Sequence, residues 1–200
     1  MPTPFEKIRE IFDRAHASGS LAVGNLDIDN FYNINENYGR KCGDEVIKFI
    51  DDILRESLPD GMIIERAGDE FFVMSTEHTA ETLLMELEDV RKQIEKVELE
   101  CGKHLIKFTV SGAVADIPRS ASSVDGLIHV LEDGMFTAKK QGRNRMIFAP
   151  AEGKQKMSLK SSYYPKSQLE KLSRLANRLK KTESALLREA LTDLLRKYSQ

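Results

Sequence analysis

The chain has no tryptophan, two cysteines, four histidines and six prolines among its 200 residues. Two cysteines with no C-x-x-C pairing and no histidine at ligand spacing argue against a zinc site and a disulfide scaffold. That sparing use fits a reducing cytosol, so a cytoplasmic location is expected. No apolar run exceeds the length of a strand, so neither a bilayer span nor a membrane partner is expected. The opening MPTPFEKIREIF is amphipathic rather than basic then apolar, so no secretory leader is expected. A strong excess of one charge is also lacking, with 30 basic and 32 acidic residues. The 40% hydrophobic and 31% charged residues exclude a disordered chain and fit a core-forming one.

The balance of charge hides a division. Residues 151–200 hold 12 Lys and Arg against 5 Asp and Glu, a net of +7. Residues 1–150 hold 18 against 27, a net of −9. A basic tail on an acidic body predicts two modules with different partners. The sequence therefore divides into a body over 1–150, a linker over 151–156 and a tail over 157–200.

In the body, Phe5, Ile8, Ile11 and Phe12 recur at helical spacing over residues 4–17. LAVGNLDI predicts a strand ending in acid, followed by a polar turn or short helix, NFYNINENYG. Helices are expected over 44–58, 79–97 and 124–141, the last ended by Gly142. Residues 62–65 and 71–75 form a hairpin about Arg66-Ala67-Gly68-Asp69-Glu70. A long β-branched strand is expected over 105–117, and a short one over 146–148. This order predicts an α+β or mixed α/β core, a sheet with helices packed on it.

Asp27 ends the first strand and Asp69 sits in the hairpin turn, where Gly68 permits a conformation that a Cβ disfavours. If the hairpin pairs beside that strand, both carboxylates meet at one sheet edge. With the Ile28 carbonyl they form a hard-oxygen site suited to magnesium and phosphate. Asn35 and Asp44 offer an amide and a carboxylate, a pairing able to read guanine. Lys139 and Arg143, one turn apart near a helix end, can reach phosphate oxygens.

DIDNFYNINENYGRKCGDEV, RAGDEFFV and AKKQGRNR, in that order, resemble the GGDEF domain of diguanylate cyclases over about residues 20–150. The resemblance implies a palm-like, ferredoxin-like nucleotide-cyclase fold and condensation of two GTP into cyclic di-GMP by two facing domains. It implies Mg2+ or Mn2+ held by Asp27, the Ile28 carbonyl and Asp69. Asp69 is then also the base for, or orienter of, the 3′-hydroxyl, and Glu70 supports the metal site. Asn35 and Asp44 bind guanine, Lys139 and Arg143 hold the triphosphate, and Phe31 and Gly68 complete the substrate site.

Several positions depart from the pattern. Ala67 replaces the usual first glycine of the signature, Tyr32 a lysine, and Glu36 an aspartate. Leu58 and Gly61 occupy the positions of the usual inhibitory R-x-x-D motif, so product feedback by that route is not expected. The customary D-x-L-T-G-L-x-N-R lead-in is missing. Three functional readings follow. The first is a dimeric active cyclase coupled to a DNA-binding transcription-regulator module. The second, motivated by Ala67 and Tyr32, binds GTP or a cyclic dinucleotide without turnover and controls DNA binding. The third, motivated by the missing lead-in, is a palm cyclase making another cyclic oligonucleotide, against which the guanine pair speaks.

The tail resembles the ribbon-helix-helix family of DNA-binding proteins over roughly 156–198. A polar strand is expected over 157–164. Pro165 opens a first helix, and Thr182 caps a second one rich in leucine. The resemblance implies an obligate homodimer whose paired ribbons enter the major groove of double-stranded DNA. Of the two ribbon registers, the one presenting Ser158, Lys160 and Ser162 directs Lys160 to DNA. Lys180, Lys181, Thr182 and Ser184 are the expected phosphate contacts.

Overall fold

The strand Leu21–Ile28 (β1) is apolar on both faces, a pattern that suits only the middle of a covered sheet. That is where it lies in this computed structural model, which describes residues 3–15, 20–151, 164–179 and 181–198. Glu70–Ser75 (β3) and Val110–Ile117 (β6) flank β1, both antiparallel to it. Ile63–Ala67 (β2) forms one edge beside β3. Met146–Phe148 (β7) forms the other, parallel to β6.

Period-two alternation then sorts the core into two layers. Leu21, Val23, Phe72 and Met74 pack with the helices Pro4–Ala15 (α1) and Val124–Lys140 (α5). Ala22, Leu26, Phe71 and Val73 pack with Phe31–Tyr38 (α2), Arg40–Ser57 (α3) and Ala80–Lys96 (α4). Thr79 and Ser123 cap α4 and α5 by accepting from Thr82 N at 3.2 Å and Gly126 N at 3.1 Å. The α+β sheet with helices on it is the arrangement expected from the sequence.

Three expectations need correction. The strand expected over 105–117 is two strands. His104–Ile106 (β5) pairs with Leu99–Cys101 (β4) in a separate ladder, and β6 starts only at Val110. The helix expected from residue 44 begins at Arg40, because Gly39, at φ 84°, ends α2 and opens α3 without a break. The cysteines are not free thiols: Cys42 in α3 and Cys101 in β4 form a disulfide across 59 residues. Their use therefore no longer speaks for a reducing compartment.

Gly112 of β6 lies where a Cβ would run into the Asn25 carbonyl oxygen and the Met146 side chain. The carbonyl belongs to the central strand and cannot move aside. Gly112→Ala is expected to cost ~2–3 kcal/mol, read as a lower urea midpoint.

The chain divides into two compact units, Met1–Gln155 and Lys156–Gln200. The second holds the helices Lys166–Leu179 (α6) and Glu183–Tyr198 (α7). Thr182 Oγ1 accepts from Ala185 N at 3.2 Å, the cap expected for α7. Among the described residues no helix is long and apolar enough to cross a membrane.

Candidate active site

The register of β1 against β3 sets Asp27 opposite Glu70. Ala67 pairs with Glu70 in turn, so Gly68 and Asp69 alone form the hairpin loop. Tight two-residue loops need positive φ, and Gly68 supplies it at 67°. Arg66 Nη1 steadies the turn by donating to the Gly68 carbonyl at 2.6 Å. Ala67, where glycine is usual, belongs to β2 and is not among the positive-φ residues. Its methyl group therefore puts no strain on the turn.

Lys139 comes to the same strand end from the last turn of α5. Its Nζ donates to Asp27 Oδ1 at 2.7 Å. Burial raises the Asp27 carboxyl above its ordinary value. Lys139 opposes that shift, and the charges of Asp69 and Asp29 add to it. Burial likewise pushes Glu70 up to about 7, against the hydrogen bond that Asn25 Nδ2 donates to Glu70 Oε1 at 3.1 Å. The nearby charge of Asp27 reinforces the rise. Asn25 is fixed in turn, its Oδ1 accepting from Ala113 N at 3.0 Å.

Among the described residues no three His, Cys, Asp or Glu side chains gather as a metal cluster. A divalent cation here would rest on Asp27, Asp69, the Ile28 carbonyl and phosphate oxygens. These residues fit such an ion. Every donor is hard oxygen, like charges crowd Asp27, and a lysine ammonium already stands against its carboxylate.

The guanine-reading candidates meet at Gly43. A Cβ there would overlap Asn35 Oδ1 and lie 3.2 Å from Phe31 Cζ. The Asn35 amide and the Phe31 ring thus lie against the first turns of α3, beside exposed Asp44. An open, polar groove of about 550 Å³ leads from Asp44 along α3 to Arg66 on β2. Its cations are engaged: Lys48 with Asp52, Arg55 with Asp51, and Arg66 with the turn. Arg143 follows α5 on an exposed turn at φ 64°.

The sequence reading missed Asp29, the second acid of D-x-D. It is buried, and its carboxylate accepts from Thr109 Oγ1, Ser111 Oγ and Asn144 N at 2.7, 2.7 and 3.0 Å. That saturation makes it a structural acid beside a site acid. The motif spacing alone does not separate the two.

In the second unit Thr182 and Ser184 lie exposed at the start of α7, while Lys181 Nζ pairs with Glu189 at 2.8 Å. The strand expected over 157–164 falls outside the described residues except for Tyr164, which is not in a strand. Lys160, Ser162 and Lys180 lie outside them too.

A family model described as "Diguanylate cyclase, GGDEF domain" matches residues 5–145. An uncharacterized membrane protein of Staphylococcus aureus strain USA300 is 32% identical over 141 residues, 66% of this chain and 38% of its own length. The chain thus spans well under half the length of the curated relatives it matches. The active GGEEF domain of a diguanylate cyclase from Vibrio cholerae superposes with TM-score 0.67 at 23% identity, covering 74% of this chain and 95% of that one. The GGDEF domain of DgcB from Caulobacter crescentus, in complex with c-di-GMP, does so with TM-score 0.65 at 24% identity, covering 72% and 89%. At these identities the solved structures speak for the fold.

Proposed function

Because the chain belongs to the GGDEF family of diguanylate cyclase domains over residues 5–145, we propose that it condenses two GTP into cyclic di-GMP with release of two pyrophosphates. The observation that carries this reading is the meeting of Asp27, Glu70 and Lys139 at one strand end, beside the Gly68-Asp69 turn. Asp27, the Ile28 carbonyl and Asp69 would hold Mg2+ or Mn2+, which when bound neutralises charge on the phosphate oxygens. Asp69 orients the 3′-hydroxyl or takes its proton as that oxygen attacks the α-phosphorus. Glu70 supplies further negative charge at the site once it ionises. Asn35 and Asp44 hold the guanine edge, with Phe31 against it. Lys139, which stands against Asp27 at this strand end, would hold the triphosphate together with Arg143.

Each domain supplies half of the product, so two copies must face each other. The C-terminal unit, in this reading a separate domain, provides that pairing. Its helices leave Leu187, Leu191 and Leu194 exposed at 38%, 54% and 52%, an apolar face that a second copy would cover. The same unit, net basic and with Thr182 and Ser184 exposed at a helix start, is proposed to bind duplex DNA as a ribbon-helix-helix dimer.

Incubation of the purified chain with GTP and Mg2+ is expected to give cyclic di-GMP and pyrophosphate by mass spectrometry. GTP binding without product would instead favour a sensor that controls DNA binding, the reading motivated by Tyr32 and Ala67. Tyr32 is 70% exposed, an aromatic ring where a lysine would reach phosphate. The unstrained Ala67 favours turnover. Mixed-sequence duplex DNA is expected to bind and to be released by salt. No retardation at low salt would remove the DNA part alone.

A further inference from the structure

The turn after α5 is bent through three successive left-handed residues, Gly142, Arg143 and Asn144, at φ 115°, 64° and 49°. Glycine adopts such angles freely, but the other two need support from their surroundings. Gly142 N and Arg143 N donate to the Lys139 and Ala138 carbonyls, which ties the turn to the helix end. Asn144 supplies the rest. Its backbone N–H donates to Asp29 Oδ2 at 3.0 Å, its Nδ2 to Glu95 Oε1 at 2.8 Å, and its Oδ1 accepts from Arg91 Nη1 at 2.7 Å. Arg91, on the apolar side of α4, is only 7% exposed. Glu88 grips its guanidinium through two bonds of 2.9 Å and Glu95 through one of 2.8 Å. A buried arginine held on three sides by carboxylates and an amide is rigid. It spends its free donor on one asparagine 53 residues away.

The geometry points to Arg91, Asn144 and Asp29 as a clamp that positions Arg143, and with it the end of α5 bearing Lys139, for the triphosphate of a purine nucleotide. None of the three has to touch the nucleotide. They act through the turn, so they are positioning residues. The clamp joins the first residue after β1, two residues beyond Asp27, to α4 and to the phosphate-binding turn. It thereby fixes the spacing between the acidic and the basic halves of the site. The nucleotide in this inference rests on the function proposed above; the clamp itself does not.

Two variants test it. Asn144→Gly keeps the left-handed backbone accessible and removes both side-chain bonds. Arg91→Lys keeps the charge and loses the fork. In the full chain without nucleotide, both are expected to speed backbone hydrogen exchange across residues 142–146 at least ~10-fold, with β1 and α3 unchanged. Unchanged exchange in that turn overturns the clamp. With nucleotide, Asn144→Gly is expected to weaken GTP about 10-fold and GMP less than about 2-fold, because GMP lacks the phosphates that the turn would hold. Combined with Arg143→Ala, it is expected to add less than about 2-fold to the loss from Arg143→Ala alone. Equal weakening of GTP and GMP, or fully additive losses, would show a general structural role and overturn the positioning role. If the unaltered chain binds no GTP, the proposed function fails, and the exchange measurement still decides the clamp.

Discussion

Replacing Asp69 with alanine is expected to lower cyclic di-GMP formation by ~10³-fold or more while leaving the fold intact. The size follows from the two tasks that converge on this side chain. In the proposed function it supplies one of two carboxylates for a divalent cation, and it meets the attacking hydroxyl. The intact fold follows from its place. Asp69 sits at the tip of a two-residue turn whose geometry belongs to Gly68 and to the bond from Arg66. Substitutions at such surface positions stay within about 0.5 kcal/mol. Thermal midpoint and product yield, measured on the same preparation, separate the effects. Turnover within ten-fold of the unaltered protein would remove Asp69 from the chemistry. Asp27→Asn is a weaker control, because it also strips Lys139 of its charge partner.

Reduction of the Cys42–Cys101 bond is expected to cost the first unit about 4 kcal/mol. The chain entropy released by opening a loop of 59 residues sets that scale. In a chain of this size it corresponds to a midpoint lower by roughly 8–16 °C. The closed segment runs from the first turns of α3 through the β2–β3 hairpin and α4 to β4, so the signature turn lies inside it. Melting with and without a dithiol reductant, beside Cys42→Ser, measures the difference. An oxidised and a reduced sample with the same midpoint would show that the bond contributes nothing. Both cysteines are buried, so slow reduction in the native protein and fast reduction in mild denaturant are part of the same expectation.

What the sequence makes legible is local. Asp27 and Asp69 announce themselves because one ends an apolar strand and the other follows a glycine in a turn. The helices of the body show in their spacing of Ile, Leu and Val. Residues 104–109 do not show their break, because His104, Leu105, Ile106, Lys107, Phe108 and Thr109 all suit extended backbone. Strand propensity does not say which sheet a strand joins. The helix α2 buries only Ile34, so its polar sequence reads equally well as a turn. Pairings across long stretches are invisible in the same way: Lys139 to Asp27 over 112 residues, and Cys42 to Cys101 over 59. Arg91 misleads most directly. A charged residue on an amphipathic helix normally faces water, and here two carboxylates of its own helix and the Asn144 amide, 53 residues away, hold it inward.

In the proposed function, where Asn35 reads the base, Gly43 ties that choice to the way two helices lie together. The Asn35 amide rests in a space that is open only because position 43 carries no side chain. A lineage drifting toward another purine would have to change its reading group while that one residue stayed constant. Changes at position 43 and at position 35 are then not independent, and selectivity for the base is inherited with the helix pair as a unit.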